Sequence, residues 1–270
     1  MNAEPVIKVE DLTVAYDGDV VLRDINFDVR QAEVFVILGG SGCGKTTLLK
    51  NMIGLQKPTQ GRVLIDQMDI VSANDTELHA ILSGIGVMYQ NGALFGSMNL
   101  LENICLVLSE FTSLPRDAAE RIARMKLKVV GLLGSEYKMP SELSGGMKKR
   151  AAIARAMALD PKILFLDEPS AGLDPITSAE LDQLILRLAR TLHITFVIVT
   201  HELPSIYAVA DRVIMLDEKS KTIIATGDPI ELRDRSDNPW VRRFFNRSAE
   251  TEAIPATHPI PKGNADTQIT

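Results

Sequence analysis

The chain has 270 residues, of which 46% are hydrophobic and 24% charged, with a formal net charge of −6. That length holds one large domain or a core with a subdomain, in a balance ordinary for a soluble globular protein. The acidic excess argues against a dedicated nucleic-acid binder, which carries a basic face.

The opening residues "MNAEPVIKVED" lack the basic start and apolar run of a signal peptide. No apolar stretch approaches the roughly 18 residues needed to span a bilayer, so a cytoplasmic location is expected. Residues 6–16 and 20–29 partly alternate apolar and polar around Asp17-Gly18, which predicts a β-hairpin. "EVFVILGG" (33–40) is a near-continuous apolar run, as in a strand buried on both faces. A helix is expected from about Lys45 to Ile53, a strand over 61–70 and a short strand over 84–90. From about 91 to 158 the pattern is helical, and strands resume at 162–169, 194–202 and 211–218, with a helix over 175–192. Strands alternating with helices predict an α/β core with a largely parallel sheet and an inserted helical subdomain over 91–158. "NPWVRRFFNR" (238–247) spaces Trp240, Val241, Phe244 and Phe245 along one helical face, which docks on its own subunit or grips a neighbour. Residues 248–270 are polar and Pro-containing and read as a loose tail.

"GGSGCGKT" (39–46) follows the buried strand and opens the first helix. Its glycines let successive N–H groups point at one phosphate, Lys45 reaches the β- and γ-phosphates of ATP, and Thr46 offers a hydroxyl to Mg²⁺. The expected cradle is Gly39, Gly40, Ser41, Gly42, Cys43, Gly44, Lys45, Thr46 and Thr47. Cys43 and Cys105 are too few for a disulfide framework, and one lies inside this loop, so a reducing compartment fits. "ILFLDE" (163–168) buries a strand and delivers Asp167 and Glu168 at its end, where ligands of open α/β sheets bind. Asp167 is the expected Mg²⁺ ligand and Glu168 the base that orients and deprotonates the attacking water.

"LSGGMKKR" (143–150) is a second helix start suited to phosphate. One nucleotide does not need both starts from one chain. Two copies facing head to tail resolve this, each Ser144-Gly145-Gly146 closing over the γ-phosphate in the other copy's loop.

With these motifs in this order, residues 5–245 resemble the ATP-binding cassette, the ATP-hydrolysing subunit of ABC transporters. The resemblance implies a P-loop NTPase (RecA-like) α/β core with an N-terminal antiparallel β-subdomain and an inserted α-helical subdomain, together spanning 5–247. It also implies roles. Tyr16 matches the aromatic that stacks on adenine, and Gln90 the glutamine that links nucleotide and Mg²⁺ to the membrane partner. Asp174 of "SAGLD" matches the loop that crosses the dimer interface, and His201 the histidine that contacts the γ-phosphate. Each also has a plainer role open to it: a packed strand aromatic, a strand-end cap, a helix N-cap and a satisfied strand-end histidine. The fifth signature residue, usually Gln, is Met147 here; the phosphate-facing work belongs to Ser144, Gly145 and Gly146, so activity is expected to survive.

"QNGALFGSMNLLENI" (90–104) and "ELSGGMKKRAAIARA" (142–156) further resemble the MlaF-type ATPases of phospholipid transport systems. That implies a homodimer docked on membrane permease subunits at the cytoplasmic face of a bacterial inner membrane, with an MCE-domain protein and a small STAS-domain protein as further partners and no nucleic acid. Ala93, Leu94, Phe95 and Met98 would form part of a groove for a permease helix or pack the helical subdomain. Rivals are the ATPase of an amino-acid or metal importer, a non-transport ABC protein acting on ribosomes or DNA, and a small P-loop kinase. The third needs no "LSGG", and the second typically brings a second cassette or a long coiled coil that this chain lacks.

Overall fold

The computed structural model describes residues 5–247, so the expected loose tail lies outside the described residues. The chain opens with an antiparallel hairpin, β1 (Pro5–Tyr16) and β2 (Asp19–Arg30). Its two-residue turn has positive φ at both Asp17 (50°) and Gly18 (90°), the conformation an Asp-Gly pair favours. The run 61–70 is two strands rather than one, β4 (Gln60–Ile65) and β5 (Met68–Asp69). Asp66 (46°) and Gln67 (67°) both take the left-handed conformation and fold the chain back, pairing Ile65 with Met68. No Gly marks that turn. Together these strands form a four-stranded sheet in the order β2-β1-β4-β5.

The second sheet is six-stranded. Its parallel part comprises β3 (Val34–Gly39), β6 (Ile85–Met88), β7 (Ile163–Asp167), β8 (Thr195–Val199) and β9 (Arg212–Leu216). An antiparallel edge strand, β10 (Ile223–Gly227), completes the order β10-β9-β3-β8-β7-β6. Alternation along each strand splits the core in two. Val34, Val36 and Leu38 face one hydrophobic cluster, whereas Phe35 and Ile37 face the other. The second cluster fills the space between this sheet and the antiparallel one, together with α1 (Lys45–Met52) and α2 (Asp75–Gly84). The first cluster lies under α3 (Leu100–Phe111), α4 (Arg116–Val129), α5 (Gly145–Ala156), α6 (Pro175–Leu192) and α7 (Leu203–Val209).

Local chemistry sets the helix starts. Asn74 and Asn99 form reciprocal capping boxes with Glu77 and Glu102. Asp174 caps α6, whose first residue is Pro175. Arg212 ties the two sheets: its Nε donates to Glu33 Oε1 at 2.7 Å and its Nη2 to Asp28 Oδ2 at 3.1 Å. After α8 (Pro229–Arg235), α9 (Pro239–Asn246) buries Val241 and Phe245 in the first cluster while Trp240 stays 39% exposed. Phe244 packs against the same cluster, so three of the four residues share the docked face and the helix docks on its own subunit.

Candidate active site

Parallel strands bring the predicted residues to one edge of the sheet. β3, β6, β7 and β8 run the same way, so their C-terminal ends deliver Gly39, Gln90, Asp167-Glu168 and Thr200-His201 to a common rim. Gly44 is the N-cap of α1, which leaves this rim and packs on β3, β7 and β8. Lys45 folds back over the loop, its Nζ donating to Gly39 O at 3.0 Å and Gly40 O at 2.8 Å. Phosphate oxygens would offer that ammonium stronger, charge-assisted bonds than these neutral carbonyls. Cys43 is 2% exposed, and burial pushes its thiol pKa up, which makes it a packing residue of the loop. Tyr16, at the end of β1, is 43% exposed, and its hydroxyl donates to Gln56 Oε1 at 2.6 Å.

Glu168 is fixed on every side. Its φ is 46°, an uncommon value for a side chain of this size, and its N–H donates to Val199 O at 2.8 Å. One carboxylate oxygen meets His201 Nδ1 at 2.7 Å, and the other accepts from Thr200 Oγ1 at 3.2 Å. The Glu168 side chain is 11% exposed and that of His201 62%, so the histidine stands between the carboxylate and solvent. Next to it, burial and then the charge of Glu168 push the pKa of Asp167 up, against the pull of Lys149 and Lys45.

Two adjacent, largely buried carboxylates call for a cation. Thr46, Asp167 and Gln90 offer a hydroxyl, a carboxylate and an amide oxygen, the hard donors Mg²⁺ takes beside nucleotide phosphates. No cluster of three or more His, Cys, Asp or Glu suited to a metal occurs among the described residues. When bound, Mg²⁺ supplies charge neutralisation at the phosphates.

The second helix start faces elsewhere. Ser144 caps α5 by accepting from Met147 N at 3.3 Å. A Cβ on Gly146 would lie 2.4 Å from Thr177 Cγ2, so only glycine lets α5 approach α6 this closely. Asp174 accepts from Ile176 N at 3.1 Å and Thr177 N at 3.0 Å, which sets its loop beside the same corner. Met147 packs against the first core cluster and is a structural residue. Ser144 and Gly145 are exposed, and among the described residues no hydrogen bond joins 144–146 to 39–47. The larger cleft, about 880 Å³ between α4, α5 and α6, includes neither loop. The phosphate-reading surfaces are open, as halves of a site shared between copies would be.

Sequence reading missed Lys149, which is 7% exposed and donates from Nζ to the carbonyls of both Gln90 and Glu168. The only sign was a lysine pair opening α5, which reads as solvated charge. Thr200, preceding His201, was also passed over.

The family model described as "ABC transporter" matches residues 22–171, which include the Gly-rich loop, the signature and the two carboxylates. The chain belongs to the ABC transporter family. As an ABC ATPase it hydrolyses ATP with Mg²⁺ as a subunit of a transporter. It is 42% identical over 240 residues to a probable ribonucleotide transport ATP-binding protein, mkl, of Mycobacterium leprae, covering 89% of this chain and 68% of that protein. It is 36% identical over 261 residues to the intermembrane phospholipid transport system ATP-binding protein MlaF of Escherichia coli K12, covering 97% and 96%. Among solved structures, the dimeric ATP-binding cassette MJ0796 in a post-hydrolysis state with ADP and Pi superposes with a TM-score of 0.74 at 30% identity, covering 82% of this chain and 98% of that one.

Proposed function

We propose that this ABC ATPase powers phospholipid transport between two membranes, as a homodimer beneath permease subunits on the cytoplasmic face of the inner membrane. The end-to-end match to MlaF carries the reading, since the mkl match leaves about a third of that protein unaccounted for. No helix among the described residues is long and apolar enough to cross a membrane, so attachment through a permease suits the chain.

In this reading the loop 39–47 and Lys45 hold the phosphates, Tyr16 stacks on adenine, and Thr46, Asp167 and Gln90 serve Mg²⁺. Glu168 takes the proton of the attacking water, with Thr200 orienting its carboxylate. His201 leaves Glu168 for the γ-phosphate once nucleotide binds. Ser144, Gly145 and Gly146 of one copy close the site of the other, with Asp174 at the seam. The domain layout in this reading is a single ATPase domain over 5–247 whose helical subdomain spans about 91–158.

The permease contact falls on the segment after Gln90. Ala93 and Phe95 are exposed, whereas Leu94 and Met98 are half-buried and Leu94 packs against the core. The buried Asn103 shapes this loop, accepting from Phe95 N at 2.8 Å and donating to Met98 O at 2.9 Å. An MCE-domain and a STAS-domain protein complete the proposed assembly.

The test is to co-purify the tagged chain with its membrane partners, reconstitute them in vesicles and follow fluorescent phospholipid. Lipid movement should require ATP and stop with Glu168→Gln. ATPase stimulated by ribonucleotides, with no lipid movement, would move the protein to the mkl class.

A further inference from the structure

Helix α5 begins at the signature and runs back into its own subunit, where two of its cations grip the catalytic loops. Lys149 donates from Nζ to Gln90 O and, at 3.1 Å, to Glu168 O. One and a half turns on, Arg155 donates to Ala93 O and, at 3.3 Å, to Gly92 O. Ala93, like Glu168, holds a positive φ, at 48°. The Glu168 carbonyl also accepts from Ala171 N at 3.2 Å, the first turn of the loop leading to Asp174. A cleft of about 440 Å³ lined by Gln90, Gly145, Lys149 and Gly172 opens beside these groups on the signature side. Lys149 is therefore the point where the signature helix, the Gln90 segment and the backbone of the assigned base meet.

We infer that Lys149 is a positioning residue that couples the two ATP sites of the dimer. It holds the Glu168 peptide in its left-handed conformation and the Gln90 peptide beside it. When the N-terminus of α5 seats on the other copy's nucleotide, the helix moves as a rod, and Lys149 carries that displacement to the base and metal-side glutamine of its own copy. A methionine of similar length fills the volume but takes the ammonium away from the Gln90 and Glu168 carbonyls. Arg keeps both the charge and the donors.

This inference rests on the ATPase reading of the site, which the wild-type protein and Glu168→Gln test independently of Lys149. The experiment measures steady-state ATP hydrolysis by the full chain for wild type, Lys149→Met and Lys149→Arg, with ATP affinity and thermal midpoint alongside. For Lys149→Met, kcat should fall about tenfold or more while KM for ATP stays within about twofold, because the phosphate cradle is untouched. The Hill coefficient for ATP should drop toward one, and Lys149→Arg should recover most of both. If Lys149→Met loses its folding transition, Lys149→Ala, which also removes the donor but lets water reach the two carbonyls, takes its place in the comparison. Turnover near the wild-type value, a KM that rises in step with the loss of kcat, or an unchanged Hill coefficient would overturn the coupling role.

Discussion

The proposed mechanism concentrates its chemistry on Glu168. Its carboxylate is hydrogen-bonded by His201 and Thr200, and its backbone is pinned by Val199, Ala171 and Lys149. Glu168→Gln preserves the shape and the cradle but cannot accept the proton of water. Hydrolysis should fall by roughly a hundredfold or more, with ATP binding retained and nucleotide-dependent dimers accumulating. Phosphate release and sedimentation check this together; hydrolysis at the parent rate would remove Glu168 from the role. That Lys45, Asp167 and Glu168 come to one rim was legible in the sequence, because their motifs set fixed residue types at fixed spacing after buried strands. Lys149 was not, because it works through carbonyls 59 and 19 residues away, which only the folded chain brings together. The turn at Asp66-Gln67 was hidden for a related reason: apolar residues continue on both sides, and neither residue announces a left-handed φ.

At the scale of elements, the buried strands and α6 were readable from apolar runs and caps. The exposure of Trp240 beside the docked Val241, Phe244 and Phe245 of α9 was not, since spacing cannot say which neighbour arrives. The seam between α6 and α7 carries a feature that no motif announced. Asp182 on α6 is 6% exposed, hydrogen-bonded by Ser205 and faced by Glu202, and burial pushes its pKa up to about 6 from 3.8. Below pH 3.8 the carboxyl is protonated folded or unfolded, and it has no effect. Between 3.8 and about 6 the folded chain holds the extra proton, so stability falls as pH rises. Above that the full cost of the buried charge is present, up to about 3 kcal/mol. Asp182→Asn should therefore raise the thermal midpoint most at pH 8 and progressively less toward pH 4. An effect independent of pH over that interval would show that the carboxyl does not titrate this way.

In the proposed function the single chain is an incomplete enzyme. Its phosphate loop lies at the sheet rim, and no hydrogen bond among the described residues joins it to the signature, whose Ser144 is exposed enough to change without disturbing the core. The fold class and the order of motifs could be read from the chain alone, and the same reading motivates the proposal of two copies, in which two phosphate-reading helix starts serve one nucleotide across a dimer. Mixing two defective variants tests that claim directly. Lys45→Ala disables the cradle, and Ser144→Glu sets a carboxylate against the γ-phosphate, so each variant alone should hydrolyse little ATP. In a mixed dimer one site combines both defects and the other combines none. The mixture should recover hydrolysis well above the sum of its parts. A mixture as inactive as its separate components would mean that each chain builds its site alone, and the shared centre would be refuted.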